Sequence, residues 1–136
     1  MKSSKFFVGL LLLFSSMAFV RCTPDQYTSN STKDVLSTGK WAVDYYYAGQ
    51  DKTAQFNSYE FTFVGTGDVS GTNGSNQVQG KWSIMKDVNR NDVLEINLQT
   101  QEPFLLELNE IWKVADKSAD VIAMDGSGMQ LRLRKM

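Results

Sequence analysis

The chain has 136 residues, with 14 basic and 15 acidic side chains, one cysteine and no histidine. Lack of histidine removes Ser-His-Asp and Cys-His catalysis and the commonest metal ligand. A net charge of −1 argues against nucleic acid as a partner, because that contact depends on neutralising phosphates.

Met1-Lys2-Ser3-Ser4-Lys5 is a basic start, and Phe6 to Val20 is almost wholly apolar. The run falls short of the roughly 20 residues a membrane-spanning helix needs, so it fits a cleaved export signal. Cys22 follows directly and, being the only cysteine, has no partner for an internal disulfide. "AFVRC" resembles the lipobox of bacterial lipoproteins, in looser forms of which a residue such as Arg21 can precede the cysteine. That resemblance implies a lipoprotein signal peptide over residues 1–21 and a lipid anchor on Cys22. The chain would then be an exported lipoprotein of the cell envelope, held in the outer membrane and facing either the periplasm or the surface. Ordinary cleavage after Ser16-Met17-Ala18, a small-x-small pattern, is the alternative and would leave Cys22 as a free thiol. Processing at Cys22 removes Lys2, Lys5 and Arg21 and leaves the mature chain at a net charge of −4.

Residues 22–35 read as a polar tether. Within and just beyond them, "STKDVLSTG" has room for one helical turn, capped by Ser31 or Thr32 and stopped at Gly39. After Gly39 the apolar period becomes two. "WAVDYYY" puts Trp41, Val43, Tyr45 and Tyr47 on one face, and "NSYEFTFV" does the same with Tyr59, Phe61 and Phe63. A weak strand fits near Asp68 to Gly71, and "VQGKWSIM" carries Val78, Trp82 and Ile84 together. "DVLEINLQ" aligns Leu94, Ile96 and Leu98. After Pro103, "FLLEL" aligns Phe104, Leu106 and Leu108. "IWKVAD", "ADVIAMD" and "MQLRLRK" complete the set, with Asp/Gly/Ser turns between the later segments.

These are eight or nine short strands with close spacing. Short connections favour antiparallel neighbours, and one-sided alternation gives the sheet one core face and one wet face. The expected fold is all-β: an antiparallel up-and-down barrel of about eight strands over residues 36–136, closed to remove its edges. A two-sheet sandwich satisfies the same periodicity. The tripeptide Gly-Lys-Trp occurs at both Gly39 and Gly80. Its spacing suits a propeller blade of about 40–45 residues, but at least about four blades are needed and the chain is too short. The two copies therefore belong to two strands of one barrel, with Gly80 marking a bend or bulge.

The ordered set Gly39-x-Trp41, "DKTAQFNSYEFTFVGTG", Gly80-x-Trp82-x-Ile84, "LNEIWKV" and "LRLRK" resembles the lipocalin-like (calycin) barrels, and most closely the lipocalin-like lipoproteins of Bacteroidetes. The likeness covers nearly all of Leu36 to Met136. It implies that Trp41 plugs the closed end of the barrel, under a cation from the last strand, Arg134 or Arg132. The alternative is that both arginines simply face solvent.

No cofactor and no catalytic or metal site is expected. The sole cysteine lies in the processing region, and Glu95, Glu107 and Glu110 fall on polar faces or turns. "DVNRND" offers Asp87, Asn89 and Asn91 in calcium-loop spacing. Asp92 replaces the loop's glycine and Leu98 its bidentate glutamate, so a tight turn explains the residues better. Tyr45, Tyr47, Tyr59, Phe61, Phe63, Trp82 and Trp112 are the candidate ligand-binding residues. They either line a pocket for a small apolar ligand or fill the interior outright. The sequence thus points to a non-catalytic, membrane-anchored lipoprotein that binds a small apolar ligand or an envelope protein. The alternative is a packed-core interaction or inhibitor module with no ligand cavity.

Overall fold

The computed structural model describes residues 31–136. The signal at 1–21, Cys22 and the stretch up to residue 30 lie outside the described residues. Eight strands follow in order: β1 (Trp41–Ala48), β2 (Glu60–Phe63), β3 (Asp68–Thr72), β4 (Gln77–Lys86), β5 (Asp92–Gln99), β6 (Ile111–Lys117), β7 (Val121–Asp125) and β8 (Met129–Lys135). Each pairs antiparallel with its successor, and β8 returns to pair with β1. The result is a closed up-and-down barrel, as the alternation of the sequence predicts, and not a sandwich.

Two very short helices and one 3₁₀ turn close the ends. α1 (Thr32–Leu36) and the turns after β2, β4 and β6 share one end, where the chain enters β1. α2 (Pro103–Leu106) and the 3₁₀ turn at Thr53–Phe56 share the other. α1 starts where the sequence favours it: the Ser31 hydroxyl accepts a hydrogen bond from the Asp34 backbone N–H at 3.1 Å, the usual service of an N-cap serine. Gly39 then turns the chain into β1 at φ +76°, a conformation that glycine adopts without cost. The helix lies partly in the segment read as tether, yet it belongs to the folded body. Thr32 and Leu36 are fully buried, and the Thr32 hydroxyl donates to Asp92 at the start of β5.

Two strand expectations need correction. In β1 the register against β8 shifts between Val43 and Tyr45, leaving Asp44 as an extra residue. Such a bulge reverses the phase of every side chain after it. Tyr46 is therefore the buried tyrosine, while Tyr47 is exposed and Tyr45 half-buried on the outer wall. The segment "FLLEL" is not a strand either. Pro103 sits in the first turn of α2, where its missing N–H is no loss, and the helix buries Leu105 while leaving Leu106 exposed.

The two Gly-Lys-Trp copies also separate in role. The β4 ladder runs through Gly80 with no register shift on either side, so Gly80 marks no bulge. A Cβ there would lie 2.7 Å from Leu98 Cα and 2.9 Å from the Asn97 carbonyl carbon. Glycine allows β4 and β5 to approach closely at this inward position.

Candidate functional site

Side chains occupy the barrel interior. Trp41, Tyr46, Phe56, Leu94, Trp112 and Ile122 are each 0 % exposed to a water-sized probe. A void large enough for water would leave accessible surface on the side chains around it, so no such void borders these six. An eight-stranded barrel is just wide enough for its side chains to fill. Each indole N–H is spent internally. Trp41 donates to the Leu36 carbonyl at 3.1 Å, Trp82 to that of Val64 at 2.9 Å, and Trp112 to that of Leu108 at 3.0 Å. Of the seven candidate ligand-binding residues, Tyr59, Phe61, Phe63, Trp82 and Trp112 do converge inside the barrel. Tyr45 and Tyr47 do not.

At the α1 end Trp41 forms the floor. The cation above its ring belongs to Lys135, whose Nζ lies 5.1 Å from the ring centroid and donates to Thr38 Oγ1 at 3.0 Å. Arg134 is not that partner. Lys135 pairs with Trp41 across the β1–β8 ladder and shares the phase of Leu131 and Leu133, whereas Arg132 and Arg134 point to the outer wall. The phase of β8 was visible in "MQLRLRK" and identifies Lys135. Next to this floor Asp92 gathers Thr32, Lys86 and Lys117. Burial alone would raise its pKa, but the hydrogen bonds from Lys86 and Thr32 and the two lysine charges outweigh burial and lower it. A cleft of about 370 Å³ opens here, outside the barrel wall, between α1 and the β4–β5 hairpin.

At the opposite end a run of edge-on ring contacts closes the barrel mouth. Trp112, Tyr46, Phe56, Phe104 and Tyr59 follow one another at centroid distances of 6.4, 5.3, 5.6 and 5.7 Å, and Tyr59 stacks on Phe61. Phe56 comes from the 3₁₀ turn and Phe104 from α2. Neither lies in a strand: the strand period expected for "FLLEL" names Phe104 as an inward residue, although it reaches the mouth from a helix, and no period reaches Phe56. Lys52 bonds Glu107 Oε1 at 3.2 Å and ties the two capping segments together. Glu107 Oε2 is buried with no hydrogen-bond partner among the described residues. Burial, and then the nearby Glu107 charge, push the Tyr46 phenol well above its ordinary 10.0.

The remaining concentration of chemistry is on the outer wall where β8 meets β1. Arg132 Nε and Arg134 Nη2 both donate to Asp44 Oδ2, at 2.6 and 3.1 Å. The Arg132 guanidinium also lies 5.5 Å from the centroid of the Tyr45 ring. The Arg134 hydrogen bond is the main cause holding the Asp44 carboxyl below its usual range. By contrast, "DVNRND" is a self-contained turn: Asp87 Oδ1 accepts from the backbone N–H groups of Asn89 and Asn91 at 2.8 and 2.9 Å.

The fold defines the class: an eight-stranded lipocalin-like barrel with a packed interior. Solved structures of Bacteroides proteins have a similar fold. A lipocalin-like protein from Bacteroides uniformis ATCC 8492 is 22 % identical with a TM-score of 0.54, over 74 % of this chain and 98 % of that one. A DUF4847 family protein from Bacteroides vulgatus ATCC 8482 is 16 % identical with a TM-score of 0.55, over 75 % of this chain and 95 % of that one. A protein from Bacteroides eggerthii DSM 20697 gives 16 %, 0.52, 74 % and 99 %. No family model and no curated protein matches the sequence.

Proposed function

We propose that this chain is a non-catalytic, lipid-anchored lipoprotein of a bacterial cell envelope, whose barrel engages a protein partner through its outer surface. The observation that carries the reading is the filled interior: Trp41, Tyr46, Phe56 and Trp112 occupy the space a small ligand would need. Anchoring rests on the apolar leader followed by Cys22, and the likeness to Bacteroides barrels suits a bacterial envelope. The absence of histidine from the sequence and the position of the only cysteine support a role without histidine or thiol catalysis in the barrel.

Two measurements test this. Intact mass of the native protein is expected to show a chain beginning at a diacylated Cys22; an unmodified thiol on a longer chain refutes the anchor. Titration with a fluorescent fatty acid is expected to leave the Trp fluorescence unchanged. Saturable quenching at one equivalent refutes the filled-barrel reading and favours a small apolar ligand.

A further inference from the structure

Resting on the reading of Cys22 as a lipid anchor, we infer that the face between α1 and the end of β4 rests on the membrane that holds the anchor. The partner it fits is a lipid surface with anionic headgroups, met by lysines around exposed apolar side chains.

The anchor's place in the chain bears on this first. Ser31, the cap of α1, is the ninth residue after Cys22. A chain spans at most roughly 3.6 Å per residue, so this end stays within about 32 Å of Cys22. A tether that short makes contact between the α1 end and the bilayer intramolecular, and a weak attraction is then enough to populate it.

Two clefts flank α1. One of about 370 Å³ lies toward the β4–β5 hairpin, and one of about 240 Å³ toward the turn after β2. Lys33 and Ile84 border both, which joins them into one face. Its apolar members project: Val64 and Met85 are about half exposed, and Val88 at the hairpin tip is 98 % exposed. The turn does not need that valine, because Asp87 closes it through the backbone N–H groups of Asn89 and Asn91. Exposed apolar groups rimmed by cations are the pattern that a bilayer interface takes up.

Charge decides which end turns to the lipid. Around the face Lys33, Lys86, Arg90 and Lys117 outnumber Asp34, Asp87 and Asp92. At the mouth Asp51, Glu102, Glu107 and Glu110 outnumber Lys52. Leu106 and Ile111 are exposed toward that end too, but among acids that an anionic surface repels. Lysine stems lie along apolar surface while their ammonium groups reach headgroup phosphates. A soluble protein would have to enter between this face and the bilayer, so lipid is the better occupant. The mouth and the outer walls are then left for the protein partner.

The native protein, isotope-labelled and held in phosphatidylethanolamine–phosphatidylglycerol nanodiscs with a gadolinium-chelating headgroup lipid, tests the inference by methyl NMR. Expected is broadening of the Val64, Met85 and Val88 methyl signals, with those of Leu106 and Ile111 left sharp. Discs of phosphatidylethanolamine and phosphatidylcholine, without anionic lipid, are expected to broaden them less. Val88→Ser removes the apolar tip and none of the turn's hydrogen bonds. It is expected to lower the ratio of docked to free barrel about tenfold, read as loss of broadening at Val64 and Met85 at an unchanged melting temperature. Leu106→Ser is expected to keep the parent's pattern. Equal broadening at both ends overturns the inference, because the barrel then moves freely on its tether. Stronger broadening at the mouth, equal broadening in the neutral discs, or a Val88→Ser variant that broadens like the parent also overturns it. So do shifts of the three methyls with protein concentration in lipid-free detergent without broadening in discs, which assign the face to a second copy. Failure of the anchor reading looks different: Cys22 is then unacylated and the chain does not co-purify with the discs.

Discussion

Replacing Gly80 by alanine adds one methyl group and sets two effects of opposite sign against each other. In the unfolded chain, alanine has fewer states to lose, which alone would stabilise by about 0.4–1 kcal/mol. In the folded barrel the new carbon would stand 2.7 Å from Leu98 Cα and 2.9 Å from the Asn97 carbonyl carbon. Carbon atoms rest at about 3.5–4.0 Å, and the Asn97 carbonyl oxygen would be nearer still, so β5 must withdraw by about 1 Å or more. Neither neighbouring atom is the end of a flexible side chain. The ladder from Gln79 to Lys86 is continuous through this point, so withdrawal also loosens its hydrogen bonds. Overpacking costs about 1–3 kcal/mol, and two weakened hydrogen bonds add about 1 kcal/mol each. The net loss comes to about 2–4 kcal/mol, or a melting temperature lower by roughly 10–25 °C for a domain of this size. Thermal unfolding followed by Trp fluorescence and far-UV circular dichroism measures it. An unchanged or raised melting temperature would refute the close approach of β4 and β5 at Gly80.

Other changes probe the ends and the charges. Trp41→Phe removes the donor to the buried Leu36 carbonyl and weakens the Lys135 contact; it is expected to cost about 2 kcal/mol and to speed amide exchange in α1 more than in β4. Phe56→Ala deletes a fully buried plug, with an expected loss of about 3–5 kcal/mol. The void should bind benzene, detectable as a rise in melting temperature that the parent lacks. Asp44 and Asp92 both have pKa values held below the usual 3.8 in the folded state. Their contribution is therefore complete above that value and is lost as pH falls below it through the folded-state pKa. Asp92→Asn removes that contribution and the charge that pairs with Lys86 and Lys117, so acid titration should find the variant less stable at pH 7, with the difference from the parent narrowing below about pH 4.

The barrel was legible because most of its strands keep an unbroken two-residue period that turns at glycine and aspartate. From Glu60 to Phe63 and from Leu94 to Leu98 the inward residues are those the alternation names. The errors have specific causes. Nothing in "WAVDYYY" marks Asp44 as an extra residue, because the bulge arises from pairing with β8, so Tyr45 and Tyr47 took the place of Tyr46. "FLLEL" is apolar enough for either structure; its proline at the first helical turn was the available signal. The plug Phe56 lies in a connection, where period has no meaning, and Phe104, inward by the expected strand period, reaches the mouth from α2 instead. Lys135 has the inward phase of Leu131 and Leu133 in "MQLRLRK", whereas the lipocalin resemblance implies an arginine at this place.

Around the barrel every strand finds its partner in the next segment of sequence, except at one seam. That seam joins β1 to β8, with Trp41 opposite Lys135 and Ala48 opposite Met129. A growing chain can therefore form hairpins early but cannot close until β8 is free, and such distant pairing is slow to form. Until then β1 presents an open edge and an uncovered Trp41 face, the two features that invite aggregation. A transcript cut just before Met129 would encode most of the core and yet no barrel, and the product would be a substrate for chaperones or proteases.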